Sequence, residues 1–311
     1  MLIFSCLIDW ILGDPESLPH PVRLMGFIIN KEEKLIRKIF KSPKGLKFAG
    51  FLMALINILG TFFLIRYFLK LLDFNKYLKL VVTIHLGYTT IAAKSLADEA
   101  REVKKNMKIS LERGRNRLKF IVGRNTERLS QEGIIRAVVE TVAENTSDGV
   151  IAPMFYLIFG LEFAFAYKMI NTMDSMVAYK NEKYKDLGFF PAKIDDLANL
   201  IPARLTSFLM MISSIPKYGI KNSFFITLRD HNKSSSPNSA WPEATVAGIL
   251  GIKLGGGLYY DNIYVQKPYI GDAKRPIRAK DIDDTIKIMY KSQILFLIIY
   301  AIYLIFYKGI M

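Results

Sequence analysis

A polar run in the middle of the chain has the residue types of a magnesium and phosphate site. Arg136, Glu140 and Glu144 recur every four residues, so they form one line along a predicted helix. The next five residues, 145–149, are of the types that end helices and form turns. With Asp148, two or three carboxylates would gather beside amide and hydroxyl groups at a helix end, which favours magnesium and phosphate binding. A solvated helix end explains the same residues equally well.

Two further clusters contain groups that bind ligands. The first contains Asn171, Asp174 and Glu182. A continuous helix would make Asn171 and Asp174 neighbours, and such groups near a membrane need a partner or a metal ion. The second is DDLANLIPARL (195–205), which contains Asn199 and Arg204. Asp195 or Asp196 can cap a helix there, and Asp196 and Arg204 lie on the same side of it, so an ordinary capped helix with an internal ion pair is the alternative interpretation.

The segment RDHNKSSSPNSAWPEA (229–244) is the most distinctive. Its serines and Asn238 supply hydroxyl and amide donors just before a helix with Pro242 in its first turn, and such donors form an anion site. Trp241 would either stack on a flat ligand or pack against the protein. The glycine run at 255–257 permits close approach of backbone to a ligand, but it lacks the Lys-Ser/Thr ending of a P-loop.

A proline-rich segment near the N-terminus carries Asp14, His20 and Arg23. Its three prolines prevent a continuous helix, and a stiffened polar loop beside an apolar segment is typical of a functional loop. A simple connector is the alternative. The three histidines lie far apart and Cys6 is the only cysteine, so we expect neither a His and Cys zinc site nor an intrachain disulfide.

Composition predicts that the elements positioning these groups lie in a membrane. Of the 311 residues, 51% are apolar and the mean hydropathy is +0.21, yet the net charge is +15. Soluble enzymes seldom combine these values, and no basic helix or aromatic RNA-binding motif supports nucleic-acid binding. We therefore predict an all-α, polytopic integral membrane protein with about four to six membrane-embedded helices, in a single domain over 1–311.

Apolar stretches predict where the chain crosses the bilayer. The clearest spans are 45–72, whose charged residues lie near its ends, and 77–96. The segment 171–196 is predicted to be re-entrant or buried in protein, because its polar residues would line a cavity. The remaining apolar stretches are 150–170, 200–215 and 292–307.

Basic segments predict the orientation. Cytoplasmic loops carry an excess of Lys and Arg, so 31–47 and 98–136 are both expected in the cytoplasm, with the two clearest spans between them. The second basic segment is predicted to be helical, solvent-facing and broken near Gly114 and Gly123. The polar segments at about 98–148 and 216–291 are then cytoplasmic, and the carboxylates of the first cluster face the compartment that holds nucleotides.

Six long stretches carry a specific resemblance that runs nearly end to end. They are GDPESLPHPVRLMG (13–26), GRNTERLS (123–130), VETVAENTSDGVIAPMFY (139–156), AYKMINTMDSMVAYKNEKY (166–184), DDLANLIPARLT (195–206) and SPNSAWPEATVAGILGIKLGGGLYY (236–260). In this order they resemble the CobD/CbiB family, membrane enzymes of cobalamin biosynthesis. Two positions depart from the family: Asn125 stands where Asp is usual, and Ala178 where Gly is usual.

The resemblance implies an ATP-dependent acid–amine ligase, an adenosylcobinamide-phosphate synthase. Such an enzyme joins the propionate carboxylate of adenosylcobyric acid to aminopropanol phosphate, or to a related amino-alcohol phosphate. A carboxylate is a poor acyl donor, so ATP would convert it to an acyl phosphate that the amine attacks. The expected cofactors are therefore ATP and magnesium, with a corrinoid as substrate, and the site must stabilise phosphoryl charge and position both substrates.

The residues singled out above receive hypothetical roles in that reaction. Magnesium binding is predicted for Glu140, Glu144 and Asp148. Catalytic roles are predicted for these three residues together with Asp174, Glu182 and Arg204. Substrate or phosphate binding is predicted for Asp14, His20, Arg23, Asn145, Thr146, Asn171, Asn199, Arg229, Ser236, Asn238, Trp241 and Glu243.

The expected location is the cell membrane, with several spans and a site that faces the cytoplasm. Expected partners are the small-molecule substrates, membrane lipid and other cobalamin-assembly enzymes, without nucleic acid. Two rival functions stay open. A multi-pass corrinoid transporter predicts uptake into vesicles without ATP-dependent amide formation, and a membrane scaffold predicts binding of cobyric acid without amine-coupled hydrolysis of nucleotide. The ligase prediction requires acidic and hydroxylic groups from the 140s, 170s and 230s to share one chamber.

Overall fold

The computed structural model of the chain is almost entirely α-helical and describes residues 1–14, 20–123, 125–179, 181–260 and 263–310. By proximity of Cα atoms, the chain forms two compact units. The first unit comprises Met1–Ala92 and Ala152–Leu200, and the second comprises Ala93–Ile151 and Ile201–Met311. The predicted all-α architecture is confirmed, whereas the single domain over 1–311 stays a prediction.

Helices follow one another through most of the described chain. In order they are α1 (Leu2–Leu12), α2 (Pro21–Ile39), α3 (Pro43–Leu71), α4 (Lys76–Tyr88), α5 (Ala93–Ile109), α6 (Leu111–Leu118), α7 (Gln131–Asn145), a π-helical segment (Thr146–Ile151), α8 (Ala152–Phe159), α9 (Leu161–Val177), α10 (Phe189–Ala198), α11 (Leu200–Tyr218), α12 (Lys221–Asp230), α13 (Ala240–Leu250) and α14 (Lys280–Ile310). Short antiparallel pairs join β1 (Leu254–Gly255) to β4 (Tyr269–Ile270) and β2 (Leu258–Tyr260) to β3 (Ile263–Val265).

Several helix starts are fixed by local side chains. Ser42, Ser110 and Ser130 each accept a hydrogen bond at 3.1 Å from the backbone N–H three residues later. Asn75 does the same for the first turn of α4, accepting from two backbone N–H groups. A cap of this kind stabilises a helix by about 1 kcal/mol, because it satisfies a donor that the helix leaves unpaired.

Helix α9 forms the centre of the first unit. It packs against α2, α3, α4, α8 and α10, and Met173 is fully buried. The prediction of one span over 150–170 is wrong, because Gly160 has a φ of +140° and separates α8 from α9. Neither helix is among the described segments that are long and apolar enough to cross a membrane. The chain beyond Gly160 is instead a mostly buried helix.

Helix α7 has the central place in the second unit, where it packs against α5, α6, α13 and α14. The prediction that 98–136 faces solvent is wrong for one face of α5, on which Ala100 and Val103 are fully buried. The predicted break near Gly114 lies instead at Ser110, between α5 and α6. A Cβ at Gly114 would lie 3.0 Å from Cα of Met107, so this glycine allows close packing of the two helices.

Three described segments are long and apolar enough to cross a membrane, namely Pro43–Leu71, Lys76–Ile109 and Lys280–Phe306. A fourth span results if the bent pair Phe189–Ala198 and Leu200–Tyr218 is counted as one. The two clearest predicted spans are thus confirmed, although α-helical geometry within the second is interrupted after Tyr88. The last span begins earlier than the predicted position 292.

Candidate functional site

Helix α7 carries the predicted polar line on one face and a buried apolar face on the other. Ile134 and Val138 are fully buried. Glu140, which is 8% exposed, accepts a hydrogen bond at 2.7 Å from the backbone N–H of Gly255, and Arg136 Nη1 donates to the Gly255 carbonyl oxygen at 3.4 Å. Both charged side chains therefore anchor β1 to α7, which favours a structural role for Glu140 over the predicted metal binding.

The glycine run makes this anchoring possible. Gly255 and Gly256 have φ values of +74° and +95°. A Cβ at Gly255 would lie 2.3 Å from the carbonyl oxygen of Pro268, and one at Gly256 would lie 2.6 Å from the ring of Tyr269. The close approach that these glycines permit is thus to the protein's own backbone and ring, and not to the ligand predicted from sequence.

The predicted helix end after α7 is wrong in one respect, because the chain does not turn there. The helix continues beyond Asn145 as the π-helical segment Thr146–Ile151. The Asn145 amide and the Thr146 hydroxyl each donate to a carbonyl oxygen four residues earlier, at 2.9 and 2.6 Å. These contacts favour structural roles for both side chains. A π-helical turn is rare and often occurs at functional sites, so Glu144 and Asp148, which lie at this one, remain candidate functional residues.

Glu144 and Asp148 are the partly exposed carboxylates of this region. Within the described residues, no group of three or more carboxylate, histidine or cysteine side chains is arranged to hold a metal ion. Magnesium, however, is commonly bound by one or two protein carboxylates together with substrate phosphates and water. Glu144 and Asp148 fit that donor set, and their role as magnesium ligands stays a prediction.

Arg229 belongs to a closed group of charges at the end of α12. Its Nε and Nη2 each donate to the Asp230 carboxylate at 2.8 Å, and Nη2 also lies 2.9 Å from Oδ1 of Asp272. Asp230 is fully buried and accepts from Lys233 Nζ at 2.6 Å and from the backbone N–H of Gly271 at 2.7 Å. We name these residues the Asp230 cluster. Its geometry favours a structural role for Arg229 over the predicted phosphate binding.

Asp230 stays ionised because its donors outweigh its burial. Burial by itself would raise the pKa of this carboxyl group, but the hydrogen bonds from Arg229, Lys233 and the Gly271 backbone hold the pKa well below its usual range. The hydrogen bond to Asp230 is also the largest cause that raises the pKa of Arg229. A buried carboxylate with this set of partners is a strong constraint on the local fold.

The second unit also contains a group formed by Arg204, His231, Asn238 and Trp241, which we name the Arg204 cluster. Arg204 Nη1 donates to Oδ1 of Asn238 at 3.2 Å, and its guanidinium carbon lies 4.8 Å from the centre of the Trp241 ring. Trp241 also stacks on His231, with ring centres 4.4 Å apart and planes at 24°. Arg204 is exposed, so an aromatic ring supports a guanidinium group that solvent can reach.

The segment 234–239, which we name the serine loop, holds Asn238 beside Arg204. Ser239 Oγ donates to Ser234 Oγ at 2.7 Å, and the backbone N–H of Ser236 donates to the same oxygen at 3.4 Å. The backbone N–H of Asn238 donates to Ser236 Oγ at 3.3 Å. Short side chains that bond nearby backbone fix loops in this way. The loop is therefore shaped before any ligand binds.

Helix α13 follows the serine loop. It begins at Ala240, slightly earlier than predicted, and Glu243 lies in its first turn. The two interpretations of Trp241 left open by the sequence were stacking on a flat ligand and packing. Because its ring already contacts His231 and Arg204, the geometry favours packing that positions Arg204.

In the first unit, Asp14 and His20 lie together. Nε2 of His20 is 3.2 Å from Oδ1 of Asp14, and Nδ1 accepts a hydrogen bond at 3.3 Å from the backbone N–H of Val22. The His20 ring is therefore held between the Asp14 carboxylate and the start of α2. Arg23 is exposed in the first turn of α2. Residues 15–19 of the predicted loop lie outside the described residues.

Asn171 and Asp174 lie on α9 as predicted neighbours, and both are partly exposed. Glu182 differs from them, because its side chain is 89% exposed and pairs with Lys185 at 2.6 Å. A surface ion pair of this kind contributes little, and nothing in its surroundings excludes water. The geometry therefore favours a solvated surface position for Glu182 over the predicted catalytic role.

Asn199 is 1% exposed and uses both ends of its amide within the protein. Its Oδ1 accepts from the Tyr167 hydroxyl at 2.9 Å, and its Nδ2 donates to Asp195 at 3.0 Å. Tyr167 also stacks on Tyr156, whose hydroxyl donates to the Ala198 carbonyl oxygen at 2.9 Å. This network ties α10 to α8 and α9, which favours a positioning role for Asn199 over substrate contact.

Sequence reasoning missed two residues that the geometry brings forward. His231 stacks on Trp241, and its one sequence signal was its place in the same motif as the tryptophan. Asp230 gave no signal beyond its neighbour Arg229, since burial of a carboxylate cannot be read from residue type. The residues predicted in the 140s and the 230s lie in the second unit, and those in the 170s lie in the first. Their convergence in one chamber stays a prediction.

Comparison with known proteins gives a consistent result. The family described as CobD/Cbib protein matches residues 2–289. The cobalamin biosynthesis protein CobD of Clostridium perfringens is 49% identical over 292 residues, which are 93% of this chain and 92% of that protein. Proteins of the same name from Clostridium tetani and Listeria monocytogenes are each 45% identical, over 97% of this chain and 96% and 98% of their own lengths. No solved structure matches the chain.

Proposed function

Because this chain belongs to the CobD/CbiB family, we propose that it is a cobalamin biosynthesis enzyme that joins adenosylcobyric acid to an amino-alcohol phosphate in an ATP-dependent reaction. The match to the family over residues 2–289 carries this proposal. ATP transfers its terminal phosphoryl group to the propionate carboxylate, giving an acyl phosphate and ADP. The amine then attacks the acyl carbon, inorganic phosphate leaves, and the amide of adenosylcobinamide phosphate forms.

In this proposal, the Arg204 cluster holds the phosphate of the amino-alcohol phosphate. Arg204 is exposed and is supported by Trp241, and a guanidinium fork matches two phosphate oxygens. Asn238, fixed by the serine loop, orients the guanidinium through its Oδ1. A phosphate held there fixes the position of the amine, and positioning two reactants is a large part of what a ligase supplies.

Glu144 and Asp148 would hold magnesium together with phosphate oxygens of ATP. When bound, that ion neutralises charge on the phosphoryl group during its transfer. The chain's own contribution is to place two carboxylates at the junction of α7 with a π-helical turn. Asp14 and His20, held together in the first unit, are proposed to contact substrate rather than metal.

We also propose that the protein spans the cell membrane and that its chemistry occurs on the cytoplasmic side. The candidate spans Pro43–Leu71, Lys76–Ile109 and Lys280–Phe306 support membrane insertion. The basic segments 31–47 and 98–136 support the orientation, since Lys and Arg are enriched in cytoplasmic loops.

One assay tests the reaction. Full-length protein in detergent is incubated with adenosylcobyric acid, aminopropanol phosphate, ATP and magnesium, and products are followed by mass. We expect the amide product and ADP in equal amounts. When the amine is omitted, no amide should form and ADP should stay at a low background. Binding of cobyric acid without amide formation would contradict the ligase and support the scaffold. Vesicle uptake of corrinoid without amide formation would support the transporter.

The magnesium assignment has its own test. Glu144→Gln removes one proposed ligand charge and keeps the side-chain size, so turnover and magnesium dependence should both fall. Glu182→Gln is the matched control, because that carboxylate is at the surface and pairs with a lysine. Unchanged turnover and magnesium dependence in Glu144→Gln would contradict the assignment.

A further inference from the structure

A cavity of about 750 Å³ lies in the first unit, where two candidate spans follow each other. Helix α3 ends at Leu71 and α4 begins at Lys76, so only residues 72–75 connect the spans. The capping contacts of Asn75 fix the start of α4. The cavity therefore lies at the end of two membrane-spanning segments, where the bilayer interface is expected. None of the residues given roles in the proposed reaction lines it.

Positive charge predominates in the lining. Arg66, Lys70 and Lys79 face the cavity together with the carboxylates of Asp73 and Glu162, so three cations and two anions leave a net charge of +1. Arg66 Nη1 lies 3.6 Å from Glu162 Oε1, and Lys79 Nζ lies 2.6 Å from Asp73 Oδ1. The side chains of Arg66 and Asp73 are 64% and 57% exposed. The Lys79–Asp73 pair is exposed and such pairs contribute little, so Lys79 can turn toward a phosphate group at small cost, as can the exposed Lys70. Arg66 can contact the phosphate while its partner Glu162, which is 16% exposed, stays in place.

The same cavity has an aromatic wall that continues onto an apolar surface. Phe63 and Tyr67 line it and are four residues apart on α3. Leu64 and Phe68, beside them on the helix, are also exposed. Exposed apolar side chains on a spanning helix face acyl chains, and tyrosine is enriched at the headgroup level. A ligand that fits must therefore have both an anionic group and a hydrocarbon chain.

In the orientation proposed above, the positive charge of the cavity lies on an unexpected side of the membrane. It places the connection between α3 and α4 outside the cytoplasm, on the side where Lys and Arg are depleted in membrane proteins. Cations at Arg66, Lys70 and Lys79 on that side need a local reason. A bound anionic group supplies one, and long side chains near helix ends reach the headgroup region.

We infer that this cavity is a binding site for an anionic phospholipid. The lipid phosphate contacts Arg66, Lys70 and Lys79, and one acyl chain lies along Phe63 and Tyr67. The net positive charge of the lining favours anionic lipids over zwitterionic ones, which carry no net charge. The apolar wall favours a membrane lipid over a free phosphate ester.

The test compares lipids on the full-length protein in detergent by native mass spectrometry. Phosphatidylglycerol, phosphatidylcholine and soluble glycerol phosphate are titrated separately. We expect phosphatidylglycerol to bind most tightly and glycerol phosphate to compete weakly. The double variant Lys70→Gln with Lys79→Gln should weaken phosphatidylglycerol binding about 25-fold, or about fivefold for each lysine.

The matched control is Lys34→Gln with Lys44→Gln, which removes the same charge at exposed positions outside the cavity. It should leave binding within about twofold of the parent. Lys70→Gln alone, at an exposed position, gives the same test if the double variant does not fold. Equal affinity for the two lipids, equal loss in the control, or competition by glycerol phosphate as strong as that by phosphatidylglycerol would overturn the inference. Because amide formation is not the readout, failure here leaves the proposed function untouched.

Discussion

Arg204 and Arg229 looked alike in the sequence, and the structure gives them opposite surroundings. Arg229 donates to Asp230 and lies beside Asp272, in a group that also includes a lysine and a backbone N–H. Arg204 is exposed, its guanidinium group lies over the Trp241 ring, and its Nη1 donates to the Asn238 amide oxygen. A guanidinium held by a buried carboxylate stabilises the fold, whereas one that lies over an aromatic ring and is open to solvent can bind an anion.

This difference shows that the contacts of an arginine, and not its residue type alone, determine whether it can bind substrate. Asp230 is fully buried and would be costly without its donors, so Arg229 cannot leave it for a ligand. The Arg204 guanidinium group, in contrast, is exposed to solvent. We therefore expect changes in the Asp230 cluster to lower stability, and changes in the Arg204 cluster to lower activity in a protein that is still folded.

The largest expected effect is on stability, in Asp230→Asn. The amide keeps the shape of the side chain but removes the buried anion that Arg229 and Lys233 share, so the free energy of unfolding should fall by about 3 kcal/mol. Thermal unfolding in detergent measures it. Asp272→Asn is the matched control, because that carboxylate is 47% exposed, and its loss should cost under about 1 kcal/mol. Equal destabilisation by both variants would contradict the distinction.

Arg204→Gln should produce the largest loss of activity. Without the guanidinium group, the phosphate of the amino-alcohol phosphate loses its charged partner, and kcat/KM for that substrate should fall about 100-fold. The melting temperature should stay close to that of the parent. Arg229→Gln provides the comparison: assayed at a temperature where it is folded, its kcat/KM should stay within about threefold. A larger loss of kcat/KM in Arg229→Gln than in Arg204→Gln would reverse the assignment.

A smaller effect is expected from pH. The pKa of Asp230 is lowered in the folded protein from its ordinary value of 3.8. A lowered pKa means that the folded state binds the proton less readily than the unfolded state. The stabilisation is therefore complete above about pH 5 and is lost as the pH falls through the ordinary value toward the lowered one. Unfolding measured from pH 6 to pH 3 should show a steeper fall for the parent than for Asp230→Asn, and parallel curves would contradict this.

The smallest expected effect is that of Trp241→Phe. Phenylalanine keeps an aromatic face for Arg204 but attracts a cation less strongly than tryptophan does, so KM for the amino-alcohol phosphate should rise about threefold with little change in kcat. Steady-state kinetics checks this split. A matched rise in KM for adenosylcobyric acid would instead indicate that Trp241 contacts the corrinoid.

Periodicity in the sequence predicted the buried face of α7, because apolar residues at helical spacing form one stripe that packs into the core. The two clearest spans were predictable for the same reason. The prediction of one span over 150–170 was wrong because Gly160 adopts a φ of +140° that separates two helices, and residue type does not show that conformation. Gly114 was read as a break although it allows close packing, since residue type does not show which neighbour approaches.

The candidate site was predictable only as a set of polar motifs. Sequence placed Arg204, Asn238 and Trp241 among the functional candidates, and they do lie together. It could not show that Glu140 binds a distant backbone N–H or that Asn199 is enclosed by Tyr167 and Asp195, because such contacts depend on tertiary packing. It also missed His231, which has no periodic or spacing signal.

Tryptophan fluorescence tests most directly whether the Arg204 cluster receives a substrate phosphate. The chain has two tryptophans, so in a Trp10→Phe background Trp241 is the remaining one. Aminopropanol phosphate does not absorb in the tryptophan region and can be titrated without ATP or corrinoid. The account predicts a saturable change in Trp241 fluorescence that is lost in Arg204→Gln and kept in Arg229→Gln. A titration that leaves the fluorescence unchanged, in protein that still forms the amide, would contradict it.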